Sequence, residues 1–355
     1  MKNKKALFLI FTPLQLMNAI NTVKSYSFQR TDVWLVHKNM EDYINFCRSF
    51  FNGDVKCIPE LYDEKTDMKN YIDTYVRLVF RALRKRRFIN QNTIVSSAYD
   101  FLFVPSDDIN CRIVFYYLKK KNSNIYLNLL DDGVGTYTHA IFEKKSIVNT
   151  VVSKMLFCEG IYDKIHSIYC YRPEDICLPL GSKIKCKRIK QQLNRFDLEP
   201  FIGDRLEPYK DKKVIFFDQG IMNEEINACL KKLLSVFGRN KILVKLHPRI
   251  KNNINYNDFT TVNDGLPSEF IFICQDVLDV LLVSYSSTSL IYPKLILQEN
   301  PYIILLNLLM ERRNSNSTNK YFFDLNKQLG NDYIKMPTTV DEFSYYIEDY
   351  LSKHN

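Results

Sequence analysis

Five histidines occur in 355 residues. One of them, His247, stands in Val244-Lys-Leu-His-Pro-Arg249, directly after an apolar run. Imidazole titrates near neutral pH, so His247 can give a proton to a departing group. Lys245 and Arg249 beside it would hold an anion such as a phosphate, and Pro248 restricts the backbone that follows. A second cluster, Leu282-Val-Ser-Tyr-Ser-Ser-Thr-Ser-Leu290, runs from an apolar stretch into Ser286, Ser287 and Thr288. Hydroxyls and N–H groups at the start of a helix form a phosphate site. A helix cap accounts for one such hydroxyl but not for this density. No Gly-rich Walker pattern accompanies it, so a triphosphate cradle is not indicated.

Carboxylates suited to proton abstraction lie elsewhere. In Leu130-Asp-Asp-Gly-Val-Gly-Thr136, Asp131 and Asp132 enter a tight turn made by Gly133 and Gly135. Either carboxylate could take a proton from a hydroxyl, and a like charge next door raises one of the two pKa values. Phe217-Asp-Gln-Gly-Ile-Met-Asn-Glu-Glu225 offers Asp218, Glu224 and Glu225. The last two equally suit the N-terminal dipole of a following helix. Thr12-Pro-Leu-Gln15 reads as a capped helix start that exposes N–H groups and Gln15 to a ligand. Gly265-Leu-Pro-Ser-Glu269 reads as another helix start, at Pro267, with Glu269 placed to bond a ribose or a base.

These residues need elements to carry them. Short apolar runs at 6–11, 32–36, 55–58, 93–97 and 125–130 alternate with helical patterns at 13–25, 41–51, 67–86 and 107–120. After a polar stretch from 182 to 212, strands are expected at 214–217, 242–245, 280–283 and 302–306. Helices are expected at 224–237 and 287–298, and a last one starts at a capping box, Thr339-Val-Asp-Glu342. Strands alternating with helices predict parallel sheets covered on both faces, so the fold class is α/β with two doubly wound, Rossmann-like domains. Such sheets bind ligands beyond the carboxyl ends of their strands, and the polar motifs fall there. The expected division is 1–205 on the acceptor side and 206–355 for the nucleotide, with a central cleft between them. The last helix is expected to pack back on the first domain.

Composition narrows the classes. A chain of this length exceeds one ordinary α/β core, and 46% hydrophobic with 25% charged residues is usual for a globular protein. The net charge of +9 suits acidic partners. Its sharpest cluster, Arg81-Ala-Leu-Arg-Lys-Arg-Arg87, suits anionic lipid headgroups. Nine cysteines without CxxC spacing argue against a disulfide framework or a zinc site and for buried thiols such as Cys111 and Cys274. The run 6–11 imitates a signal peptide but is interrupted by Thr12-Pro13 and reads better as a first strand. No run approaches the ~18 apolar residues of a membrane span. A cytoplasmic protein, with or without peripheral contact on the inner face of the membrane, is expected.

The series Thr12-Pro-Leu-Gln15, Asp131-Asp-Gly133, Lys245-Leu-His-Pro248 and Ser286-Ser-Thr288 resembles the bacterial lipooligosaccharide and capsule sialyltransferases. These are similar in turn to the bacterial polysialyltransferases. The resemblance runs from Thr12 to about Leu290 and implies a GT-B fold and an inverting, metal-independent transfer from CMP-sialic acid to a galactoside-type acceptor of a surface glycan. By that resemblance His247 assists the departing CMP, and Ser286, Ser287 and Thr288 hold its phosphate. Thr12, Gln15, Asp131, Gly133, Lys245, Pro248, Pro267 and Glu269 would line the substrates. The base is Asp132 by the polysialyltransferase pattern. By the lipooligosaccharide pattern it is an acid near Asp218 and Glu224, and the two stay open. No metal and no cofactor besides the donor substrate are implied. Partners would be a nucleotide sugar and a glycan or glycolipid, with no nucleic acid; a homodimer is compatible. The rival readings are a GT-B transferase using another nucleotide sugar, such as UDP-glucose, and a non-catalytic glycan-binding subunit.

Overall fold

The computed structural model describes residues 3–36, 38–58, 98–137, 159–220, 223–247, 256–285, 287–310, 316–330 and 333–354. They form two compact units, Met1–Leu193 and Asn194–Asn355. The helix Arg195–Ile202 packs on the helix Ser268–Cys274, so it belongs with the second unit. The expected strand at 93–97, the expected helix at 67–86 and the basic cluster 81–87 lie outside the described residues.

In the first unit seven strands lie in the order β3-β2-β1-β4-β5-β6-β7. They are β1 Lys5–Ile10, β2 Arg30–Leu35, β3 Val55–Cys57, β4 Phe101–Val104, β5 Tyr126–Leu130, β6 Ile165–Cys170 and β7 Lys185–Arg188. Every pairing is parallel. A parallel sheet covered on both faces needs strands that are apolar throughout. In β1, Ala6 to Ile10 are at most 1% exposed. Phe8 stacks on Phe103 of β4 with ring centroids 4.3 Å apart. The helix Pro13–Ser25 occupies the predicted span, with Pro13 in its first turn and a capping box between Thr12 and Gln15.

The second unit carries β8 Val214–Phe217, β9 Ile242–Lys245, β10 Thr260–Val262, β11 Leu281–Ser284, β12 Tyr302–Leu305 and β13 Ile334–Lys335. Their order is β10-β9-β8-β11-β12-β13, again parallel. In both sheets the order reverses beside the first strand, between β1 and β4 and between β8 and β11. That reversal is the switch point at which doubly wound folds bind ligands.

Several expectations are corrected. β4, β6, β7, β10 and β13 were not anticipated. β4 is only four residues between Asp100 and Pro105. β7 reads Lys-Cys-Lys-Arg because an edge strand in water needs no apolar face and gains from charges that discourage pairing. The helix expected at 287–298 is instead a 3₁₀ turn, Thr288–Ile291, followed by a π-helical turn, Pro293–Leu297. Pro293 has no N–H to continue an α-helix, which breaks it there. At the last helix Thr339 accepts from the Glu342 N–H, but Glu342 reaches back to Thr338 rather than Thr339.

Eight cysteines are described, all as free thiols, and Cys111 and Cys274 are buried as expected. Among the described residues no helix is long and apolar enough to cross a membrane. The last helix, Val340–His354, expected on the first domain, places Phe343, Ile347 and Tyr350 in the second unit's core beside Leu230, Leu233 and Tyr302. Phe343→Ala should therefore cost ~3–5 kcal/mol in urea unfolding, the usual range for a buried Phe. A loss below ~1 kcal/mol would exclude this helix from the core that the second unit depends on.

Candidate functional site

In the first unit the polar residues gather where β1 and β5 end. The side chain of Asp131 is buried. Its Oδ1 accepts the Gly133 N–H at 2.9 Å, and its Oδ2 accepts from Tyr171 N at 3.3 Å and from the Tyr137 hydroxyl. Gly133 has φ +75°, which a glycine adopts without strain. Burial pushes the Asp131 carboxyl up to about 6, against the lowering effect of its hydrogen bonds; the charge of Asp132 adds to the rise. Asp132 is half-buried, gives its N–H to Thr136 Oγ1 at 2.7 Å and receives Gln15 Nε2 on Oδ1 at 2.7 Å.

The helix Pro13–Ser25 turns an unexpected polar stripe toward this turn. Gln15, Asn18, Asn21 and Thr22 are all at most 4% exposed. Asn18 donates to the Asp131 carbonyl at 2.9 Å and accepts from Tyr171 OH at 2.9 Å. Asn21 donates to Tyr171 Oη and Gln191 Oε1, and accepts from the N–H groups of Gln192 and Leu193. Asn18, Tyr137 and Tyr171 were missed from the sequence. A polar residue every three or four positions in an otherwise apolar helix was the available signal.

In the second unit β8, β9 and β11 end side by side. Phe217 is in register with Lys245 on one side and Ser284 on the other. Asp218 is buried, and its Oδ1 accepts from Gly220 N at 2.8 Å and Tyr256 OH at 2.9 Å. Glu224 and Glu225 stand exposed in the first turn of the helix Glu224–Phe237, where they complement its dipole. Lys245 is buried against Asp264 Oδ1 at 2.7 Å, and Tyr209 OH donates to Asp264 Oδ2 at 2.7 Å. Burial lowers the Lys245 pKa, opposed by Asp264. His247 follows two residues later and is half-buried. Ser284 Oγ donates to the Phe217 carbonyl at 2.9 Å and accepts from Ser287 N at 3.3 Å, while the Ser287 and Ser289 hydroxyls share a hydrogen bond at 2.7 Å.

Each unit thus collects its own predicted residues. Thr12, Gln15, Asp131, Asp132 and Gly133 meet in the first. Asp218, Lys245, His247, Pro267, Glu269 and Ser287 lie at the strand ends or following helix starts of the second. Three assignments change. Gln15, expected to face a ligand, is buried with both ends of its amide bonded to protein. Asp131 is committed to its own turn. Lys245 is paired with Asp264, which the sequence reading did not single out. Pro248, Arg249 and Ser286 lie outside the described residues, as does the Thr288 side chain. Among the described residues no group of three or more His, Cys, Asp or Glu is arranged to hold a metal ion.

The model of the alpha-2,8-polysialyltransferase family matches residues 6–305. No curated protein sequence matches the chain. Among solved structures, the glycosyltransferase of kitacinnamycin is similar with a TM-score of 0.59 at 9% identity, over 99% of this chain and 92% of that one. UGT89C1 of Arabidopsis thaliana, solved with quercetin, gives 0.58 at 10% identity, over 100% and 91%. A UDP-N-acetylglucosamine 2-epimerase gives 0.56 at 10% identity, over 99% and 88%. The fold is the GT-B type. It is shared by transferases and an epimerase, so the fold alone does not choose the reaction.

Glu269 gives this region a pH signature. It is buried at the start of the helix Ser268–Cys274, and burial pushes its carboxyl up to about 7, opposed by its own N–H and by Lys245. A carboxyl raised on folding favours the folded state below its unfolded pKa, and that contribution is lost as pH rises through the folded value. For Glu269 the window runs from about 4.5 to about 7. Glu269→Gln should melt near wild type at pH 5 and about 5 °C higher at pH 8. Equal melting temperatures at pH 8 would mean that Glu269 carries no burial penalty.

Proposed function

The chain belongs to the alpha-2,8-polysialyltransferase family, and on that premise we propose that this glycosyltransferase moves sialic acid from CMP-sialic acid to a hydroxyl of a surface glycan, with inversion. The observation that carries the reading is the position of the two proton-handling motifs. Within the family-matched span, Asp132 follows β5 and His247 follows β9, each at the carboxyl end of a parallel strand.

In the proposed reaction Asp132 takes the proton of the acceptor hydroxyl. The acceptor oxygen bonds to the anomeric carbon of sialic acid, and the bond from that carbon to the CMP phosphate oxygen breaks. His247 delivers a proton to the departing phosphate, and the hydroxyls and N–H groups around Ser286, Ser287 and Thr288 hold it. A base for the acceptor hydroxyl and an acid for the leaving phosphate suit a single displacement. Asp132 is preferred to the second-domain acids on two grounds. The family pattern assigns the second acid of the Asp-Asp-Gly turn. Asp218 is buried in its own turn, and Glu224 is engaged with a helix terminus.

The acceptor was expected to be a galactoside, and the family's description adds a sialoside 8-hydroxyl. Incubation with CMP-sialic acid and both acceptor classes, read by mass spectrometry, tests the reading. Transfer from UDP-glucose instead would replace it, and binding without transfer would favour a glycan-binding subunit. Peripheral contact with an anionic membrane, through the basic cluster 81–87, belongs to the same proposal, as does a cytoplasmic location.

His247→Ala and Asp132→Asn should each lower kcat by ~10²–10⁴-fold, the usual worth of general acid–base help. CMP should still raise the melting temperature of both variants. Turnover within a few-fold of wild type in either variant removes that residue from the mechanism. CMP departs as a monophosphate whose charge a proton and hydroxyl donors can meet, so transfer should continue in EDTA. Complete loss in chelator, restored by magnesium or manganese, would point to a UDP-sugar donor.

A further inference from the structure

The amide of Gln15 has one possible orientation. Its Oε1 accepts from Phe11 N at 2.7 Å and from Thr12 N at 3.2 Å. Two backbone donors at one end require the carbonyl oxygen there, so the NH₂ group occupies the other end. There it donates to Asp132 Oδ1 at 2.7 Å. The bond joins residues 117 positions apart, and Gln15 is 4% exposed. One helical turn further, Asn18 holds the Asp131 carbonyl at 2.9 Å. The same helix end therefore grips the acidic turn by a side chain and by the backbone.

We infer that Gln15 is a positioning residue for Asp132: its amide sets the carboxylate rotamer and favours the ionised form that can accept a proton. The inference rests on the reading of Asp132 as base. A neutral donor bonded to a carboxylate stabilises the charged form. Asp131 is a like charge from the same turn, with Tyr137 and Tyr171 bonded to it, and Thr136 Oγ1 takes the Asp132 N–H. Gln15 is a described donor that offsets Asp131. Pro13 and the capping box hold the helix start, so the donor is in place before any substrate binds.

Gln15→Glu separates this role from helix capping. Glutamate at the third helical position keeps the acceptor for Phe11 and Thr12, which is the other half of a capping box. It removes the donor and sets a second acid against Asp132. The expected result is a melting temperature several degrees below wild type at pH 8, where two carboxylates share a buried site, and closer to wild type at pH 5. The acidic limb of the kcat/KM profile should move up by about one pH unit. Gln15→Met, of similar length with neither donor nor acceptor, should move the limb in the same direction and also lower the melting temperature.

If Asp132→Asn abolishes the acidic limb while Gln15→Glu leaves it in place, the positioning role is wrong and the base assignment stands. If Asp132→Asn keeps the limb, the base assignment fails and this inference falls with it. A measurement independent of turnover is the Asp132 carboxyl titration, followed by carbon NMR on aspartate-labelled protein. Its midpoint should rise in Gln15→Glu, and an unchanged midpoint overturns the proposal.

Discussion

A buried carboxylate must have its lone pairs met, and three strand-end or loop turns of this protein are built around that requirement. Asp131, Asp218 and Asp264 each accept the N–H of the residue two positions on and the hydroxyl of a tyrosine. The tyrosines are Tyr137, Tyr256 and Tyr209. A glycine with positive φ stands in each turn: Gly133, Gly220 and Gly265. Leaving any of these carboxylates unpaired would cost several times the worth of one ordinary hydrogen bond. The carboxylate bonds therefore fix each turn, and the described residues within it inherit that geometry.

The inheritance differs between the two units. In the first, Asp131 faces inward and Asp132, one residue on, remains half-buried with its carboxylate against Gln15. The buried acid is held by its own turn, and its neighbour is the acid proposed as base. In the second, Asp264 holds Lys245, and His247 lies two residues beyond it along the chain. The pairing explains why a cation at the end of β9 is buried without being lost to the fold. Its partner Asp264 is itself satisfied by Tyr209 and by Leu266 N–H, so neither charge is left bare.

Parallel sheets also explain why the polar residues concentrate as they do. Side chains within the strands are covered on both faces, so an apolar run such as Ala6 to Ile10 has no room for a functional group. The first positions open to chemistry are those just past the carboxyl ends. Gln15, Asn18 and Asn21 depart from this economy by burying polar groups in a helix. Each repays the departure with bonds to a specific loop: the Asp132 side chain, the Asp131 carbonyl and the Gln191–Leu193 segment.

The amino-acid sequence by itself determined the α/β class, the spans of the helices Pro13–Ser25 and Glu224–Phe237, strands such as Val214–Phe217, and the motifs at strand ends. Those features are local: an apolar run, a helical period and a cap are each read within a dozen residues. It did not reveal β4 or β7, because four residues at a sheet edge or beside a proline carry too little pattern. Nor did it distinguish Asp131 from Asp132, since adjacent acids of one type look alike until burial separates them. Only the tertiary structure turned Asp131 inward, paired Lys245 with Asp264 across 19 positions and brought Gln15 to Asp132 across 117. Contacts between residues so far apart depend on which strands become neighbours. The sheet order decides that, and no local stretch of sequence encodes it.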